Sequence, residues 1–263
     1  MDAPSTPQPR VAERHCASPQ ALAHELASTI AGELREAIAQ RGRALLAVSG
    51  GKSPIALFQA LRVHALDWAK VNVLLVDERC VPHTPTPHPD SNTALVRQHL
   101  LQDLAAAATF WPFFDTLPHA PAFTLTANEP LALDAVDALP AAANQRLAAL
   151  SWPLDVLVLG MGEDGHTASL FPGAPGLAHA LTSAEVVAAV RPDATDQAPH
   201  ARLSLTLPTL LAARHTHLSI VGTTKQAVYR QALARPDAAL PVSLVLHGQP
   251  PHNQPHALTV WLA

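Results

Sequence analysis

Fourteen consecutive residues, Gly160-Met161-Gly162-Glu163-Asp164-Gly165-His166-Thr167-Ala168-Ser169-Leu170-Phe171-Pro172-Gly173, set four glycines around two carboxylates and one histidine. They follow directly on the apolar run Val156 to Leu159. Glycine permits sharp turns and exposes backbone N–H groups. A histidine in such a loop is suited to proton transfer near neutral pH. Asp164 can orient or polarise the His166 ring, although adjacency in sequence does not establish contact. A structural turn carrying a surface histidine is the plainer alternative.

Three further groups point to an anion. Ser49-Gly50-Gly51-Lys52-Ser53-Pro54 stands between an apolar run and a helical pattern. Two glycines let a ligand approach the backbone, and Pro54 fits a first helical turn whose free N–H groups attract phosphate. The spacing is neither a Walker loop nor GxGxxG, so no nucleotide is implied. Asp77-Glu78-Arg79 follows another apolar run, and Arg79 offers a planar fork for phosphate or carboxylate. Arg202 before LSLTL and Lys225 after Gly222 each could aim a cation at the same place. His83, His88, His252 and His256 lie in Pro-rich or polar loops. His215 and His217 bracket a strand start with no Cys or carboxylate visible to complete a metal set, so no metal is expected.

These groups need elements to hold them. The runs Ala44–Val48, Val73–Val76, Val156–Leu159 and Leu218–Val221 are short and continuously apolar, and each ends in glycine or charge. Continuous apolarity suits strands covered on both faces. Helical patterns between them imply right-handed crossovers and a parallel sheet, with ligands beyond the C-terminal strand ends. Leu22, Leu26, Ile30, Leu34 and Ile38 predict a helix from about Ser18 to Gln40, capped by Ser18 and closed at Gly42. Asp90-Ser91-Asn92 reads as the cap of a helix near 93–101. Glu185–Val190, Leu203–Leu207 and Leu258–Leu262 read as further strands, the last able to pair antiparallel at an edge. The polar, Pro-rich residues 1–17 read as a flexible tail, and 18–263 as one α/β domain. Trp68, Trp111, Trp152 and Trp261 are expected in the core.

Composition narrows the classes. Of 263 residues 48% are hydrophobic, enough for a substantial core. Seventeen basic and twenty-one acidic residues give a net charge of −4, which argues against a nucleic-acid binder held by bulk charge. Two cysteines, Cys16 and Cys80, make neither a disulfide scaffold nor a Cys-based zinc site. No signal-peptide core and no long apolar stretch is visible, so a soluble cytoplasmic protein without a membrane partner is expected.

SGGKSP (49–54), DERCVP (77–82), DSN (90–92), GMGEDGHTASLFPG (160–173), RLSLTLP (202–208) and GTTK (222–225) occur in the order seen in the 6-phosphogluconolactonases. The resemblance spans about residues 20 to 250. It implies a single-domain, Rossmann-like α/β fold with a mostly parallel sheet and helices on both faces. It also implies hydrolysis of 6-phospho-D-glucono-1,5-lactone in the oxidative pentose phosphate pathway, without metal or organic cofactor. Carried over by motif, His166 matches the catalytic base, with Asp164 and Arg79 beside it. Ser49, Gly50, Gly51, Lys52, Asp77, Arg202 and Lys225 match the sugar-phosphate cleft. Ser53 stands where Thr is usual and Cys80 where a bulkier residue often sits. The expected partner is a small sugar-phosphate lactone, and the chain a monomer or weak homo-oligomer. Glucosamine-6-phosphate deaminases share the Asp-Gly-His block, but theirs runs on into Phe-Asn-Glu-Pro. Here Thr167-Ala168-Ser169-Leu170-Phe171-Pro172 supplies no acid. A non-catalytic sugar-phosphate-binding module on the same fold is the alternative from another class.

Overall fold

In a computed structural model, residues 11–81, 88–114, 133–192, 200–249 and 257–263 are described. The first half runs β1 (Ala12–His15), α1 (Pro19–Arg41), β2 (Ala44–Val48), α2 (Ile55–Leu61), β3 (Val71–Leu75), β4 (Asp77–Arg79), α3 (Asn92–His99), β5 (Thr109–Trp111) and α4 (Leu133–Leu147). The second runs β6 (Val156–Leu159), α5 (Leu177–Thr182), β7 (Val187–Val190), β8 (Arg202–Leu205), α6 (Leu207–Leu211), β9 (His215–Ile220), α7 (Thr223–Ala232), α8 (Pro241–His247) and β10 (Ala257–Leu262).

Seven strands form one sheet in the order β1-β10-β9-β6-β2-β3-β5, and every pairing in it is parallel. The four apolar runs all lie in it, as expected: β2, β3, β6 and β9 are buried almost throughout. From β2 the chain moves outward to β3, whereas β6 lies on the other side of β2. The crevice at such a reversal is where parallel sheets bind ligands. Helix α1 packs Leu22, Leu26, Ile30 and Leu34 into the core, with the Ser18 hydroxyl accepting the Ala21 N–H at 3.1 Å and Gly42 closing it at φ +77°.

Three expectations change. β10 lies inside the sheet between β1 and β9 and pairs parallel with both, because the strand β1 covers the edge beyond it. β1 itself was expected in a loose tail. Its sequence AERH is exposed throughout and carries no apolar pattern to announce it. Residues 1–10 lie outside the described residues. Finally, β7 and β8 do not extend the main sheet. With β4 they form a three-stranded antiparallel sheet, β4-β8-β7, whose register sets Arg79 opposite Arg202. Trp68 and Trp261 are buried, while Trp111 and Trp152 pack partly buried against the core.

Candidate active site

The ends of β2 and β6 meet at Ser49. Its N–H donates to Val158 O at 3.0 Å, its hydroxyl donates to the same carbonyl at 3.1 Å, and the hydroxyl accepts the Gly160 N–H at 3.2 Å. Ser49 is therefore a staple between the two loops, its hydroxyl already committed. Gly50 and Gly51 follow, and neither N–H makes a backbone hydrogen bond among the described residues. Gly51 has φ +89°, and a Cβ on Gly50 would run into the Asn92 carboxamide. Glycine is thus required here by one left-handed turn and one close approach.

Past β6, the loop folds back on itself. Gly162 N–H donates to His166 O at 2.9 Å and Gly165 N–H to Gly162 O at 3.1 Å. His166 Nδ1 lies 2.6 Å from Asp164 Oδ1, which also accepts the His166 backbone N–H at 3.1 Å. A Cβ on Gly162 would overlap both side chains, so the pair needs that glycine. Burial alone would raise the Asp164 pKa, but the hydrogen bond and charge of His166 outweigh it and hold the carboxyl below its ordinary value. An ionised carboxylate only accepts, which places the ring proton on Nδ1 and leaves the Nε2 lone pair available. The Phe171 ring lies 4.2 Å from the imidazole at 32° and fixes its plane.

A cleft of about 390 Å³ joins these loops. It is lined by Ser49, Gly50, Gly51, Lys52, Asp77, Arg79, His166, Arg202 and Lys225, so nine of the ten expected site residues meet there. Asp164 is the tenth and does not line the cleft; it touches the space only through His166. Asn92 and Phe171 also line it, although Asn92 reads from sequence only as part of a helix cap.

The cations are held from below. Arg202 is 4% exposed, and its Nε, like that of Arg79, has no hydrogen-bond partner. Burial lowers the Arg202 pKa while the Asp77 charge opposes that shift. Asp77 accepts the Ser169 hydroxyl at 2.7 Å, and its backbone carbonyl accepts Asn92 Nδ2 at 2.8 Å. Asn92 Oδ1 is left buried without a partner. Glu78 faces away, into the N-terminus of α3. It accepts the backbone N–H groups of Arg79, Asn92 and Thr93 at 2.7, 2.8 and 2.7 Å. Burial pushes its carboxyl upward against the pull of those donors. Arg79 is anchored by Nη1 donating to Asp90 O at 2.6 Å. Lys225 stands in the first turn of α7 and Lys52 is exposed at the rim.

The other histidines separate from this site. His88 lies outside the cleft, and His83, His252 and His256 are outside the described residues. His215 and His217 do have a carboxylate beside them, contrary to the expectation from sequence. Glu33 of α1 reaches His215 Nδ1 at 3.3 Å and His217 Nε2 at 2.7 Å, 184 residues from the latter.

A parallel α/β sheet whose switch-point crevice is lined by cations and by a carboxylate-paired histidine defines a class of α/β proteins with a ligand cleft beyond the strand ends. Within that class, the chain belongs to the glucosamine-6-phosphate isomerases/6-phosphogluconolactonase family, whose model matches residues 17–256. It is 42% identical to a 6-phosphogluconolactonase of Pseudomonas aeruginosa over 235 residues, covering 87% of this chain and 90% of that one. It is 43% identical to a 6-phosphogluconolactonase of Neisseria meningitidis, covering 86% and 90%. A 6-phosphogluconolactonase crystal structure from Shewanella baltica OS155 matches with a TM-score of 0.82 and 36% identity, over 98% of this chain and all of that one.

Proposed function

We propose that the chain hydrolyses 6-phospho-D-glucono-1,5-lactone to 6-phospho-D-gluconate. The observation that carries this reading is the His166–Asp164 pair, whose imidazole lines a cleft with Lys52, Arg79, Arg202 and Lys225. The named relatives support the substrate. In this reading the phosphate docks on the Gly50-Gly51 loop and the cations, which holds the lactone carbonyl near His166. Nε2 takes a proton from water as the water oxygen bonds to the carbonyl carbon. The resulting tetrahedral oxyanion is stabilised by N–H and guanidinium donors around it. It collapses by breaking the bond to the ring oxygen, and the imidazolium returns its proton to that leaving oxygen. Asp164 keeps Nδ1 protonated throughout and stabilises the transient positive charge. The phosphate and the opened carboxylate product are both anionic, which suits a cleft lined by the four cations Lys52, Arg79, Arg202 and Lys225.

The sequence after His166 separates this from amine release. Thr167 and Ser169 are buried and spend their hydroxyls on Gly160 O at 2.8 Å and Asp77 Oδ2 at 2.7 Å. No carboxylate follows the histidine to serve ring opening and deamination. The chain is taken to work in the cytoplasm as a monomer or weak homo-oligomer without nucleic acid; the net charge of −4 supports the last point. Purified protein with freshly made lactone, corrected for spontaneous opening, tests the proposal. Acceleration of lactone opening with no ammonia from glucosamine 6-phosphate is the expected result. Comparable ammonia release would overturn it, and binding without turnover of either would make the chain a sugar-phosphate-binding module.

A further inference from the structure

Outside the cleft, His88, Asp90 and His200 bring one donor atom each within 4.8 Å of one another. Asp90 Oδ2 lies 2.9 Å from His200 Nε2 and 4.0 Å from His88 Nδ1. The two imidazoles stand edge to face, 5.6 Å apart. The three side chains are 23%, 50% and 25% exposed, so solvent can complete a coordination shell. His88 Nδ1 accepts the Asp90 N–H at 3.1 Å, so it is the unprotonated nitrogen, and a bound cation would take the lone pair from that N–H. Two imidazoles and one carboxylate are the donor set of zinc and its neighbours rather than of magnesium or calcium.

We propose that His88, Asp90 and His200 form a site for a zinc-class divalent transition ion that clasps the segment before α3 to the segment before β8. The ion would replace the proton shared by His200 and Asp90. Each ligand segment is tied to a cleft arginine. Asp90 O accepts Arg79 Nη1 at 2.6 Å, and Ala201, next to His200, accepts the Cys80 N–H at 2.8 Å just before Arg202. The ion therefore braces the antiparallel pair that presents Arg79 and Arg202, without reaching the cleft itself. Its role is structural, and it stands whether or not the lactone is the substrate.

Metal-free protein titrated with Co²⁺ and Zn²⁺ at mildly alkaline pH tests it. One tightly bound equivalent is expected, with visible Co²⁺ absorption and a zinc-dependent rise in Tm. The His88→Ala/His200→Ala double variant should lose the absorption and bind zinc at least about tenfold more weakly, using the lower end of typical metal-site losses. His166→Ala should keep both signals. Absence of a bound equivalent, an unchanged double variant, or loss of the signals in His215→Ala instead would each overturn the proposal.

Discussion

Two histidine–carboxylate pairs of nearly equal length serve opposite ends. His166 Nδ1 meets Asp164 at 2.6 Å in a loop beyond β6, while His217 Nε2 meets Glu33 at 2.7 Å beneath α1. The second ring is closed on both sides, because Trp261 Nε1 donates to His217 Nδ1 at 3.2 Å. Indole only donates, so His217 carries its proton on Nε2 and gives it to Glu33. Its side chain is 3% exposed, against 29% for His166. Pairing with a carboxylate is thus common to a buried structural histidine and to the one proposed as the base. What separates them is whether the second nitrogen has a partner or faces a cavity.

Replacing each ring in turn tests that distinction most severely. His166→Ala should lower kcat by about 10²–10⁴-fold, the usual share of a general base. Its stability should change little, since the side chain stands in a loop at the cleft. His217→Ala should do the opposite. It strands the Trp261 N–H and leaves the Glu33 carboxylate with His215 alone, at about 1–3 kcal/mol, and each kcal/mol lowers Tm by about 2–4 °C in a chain of this size. Its kcat should stay near that of the parent at a temperature where it is folded. Kinetics and thermal melts on the two variants check the pair. A His166→Ala protein with normal turnover, or a His217→Ala protein that melts normally but turns over slowly, would reverse the assignment.

The cations extend the same comparison to substrate. Lys225→Ala should reduce kcat/KM for the phosphorylated lactone by about 10–150-fold, the equivalent of about 1.5–3 kcal/mol for a charged hydrogen bond. Unphosphorylated gluconolactone should be a poor substrate of both proteins and nearly insensitive to the change. Equal losses on the two lactones would remove Lys225 from phosphate recognition.

Much of the cleft is legible in sequence because its parts are local. Each of β2, β3, β6 and β9 is a continuous apolar run followed at once by its functional residues, so strand and loop announce each other. His166 and Asp164 are two residues apart and need only Gly162 and Gly165 to meet. Interactions across long separations leave no such trace. Nothing near His217 names Glu33, and nothing near His88 names His200. β1 was hidden because an exposed edge strand has no buried face to enforce alternation. The parallel direction of β10 was hidden because alternation reports burial, not polarity. β7 and β8 read as strands, but Asp77-Glu78-Arg79 reads as a charged loop start; that it is a strand, and that the three pair in a separate antiparallel sheet, depends on where the chain turns away from β3. Asn92 reads as part of a helix cap, but the cap is Ser91, whose hydroxyl accepts the Ala94 N–H; Asn92 opens α3, and only the approach of Gly50 reveals it in the cleft.

The smallest expected effect distinguishes the two pairs by exposure. Asp164 is about half exposed, whereas Glu33 is 15% exposed. The hydrogen bond and charge of His166 hold the Asp164 carboxyl below its ordinary value, so Asp164 presents a negative charge to the ring. A base must be neutral to accept a proton, so kcat/KM should fall on the acid side of its pH profile. Asp164→Asn removes the charge but keeps an amide oxygen that can accept from Nδ1–H. The imidazolium loses its stabilising neighbour, so the acid limb of the variant should move to lower pH. Solvent screening keeps the move small. The plateau should drop only about tenfold or less, because the tautomer that leaves Nε2 free is still supported. A limb that moves upward would mean that Asp164 does not act on His166 through its charge. An unmoved limb with a plateau lowered by orders of magnitude would instead make Asp164 a positioning residue, its contribution lying in ring orientation rather than in electrostatics.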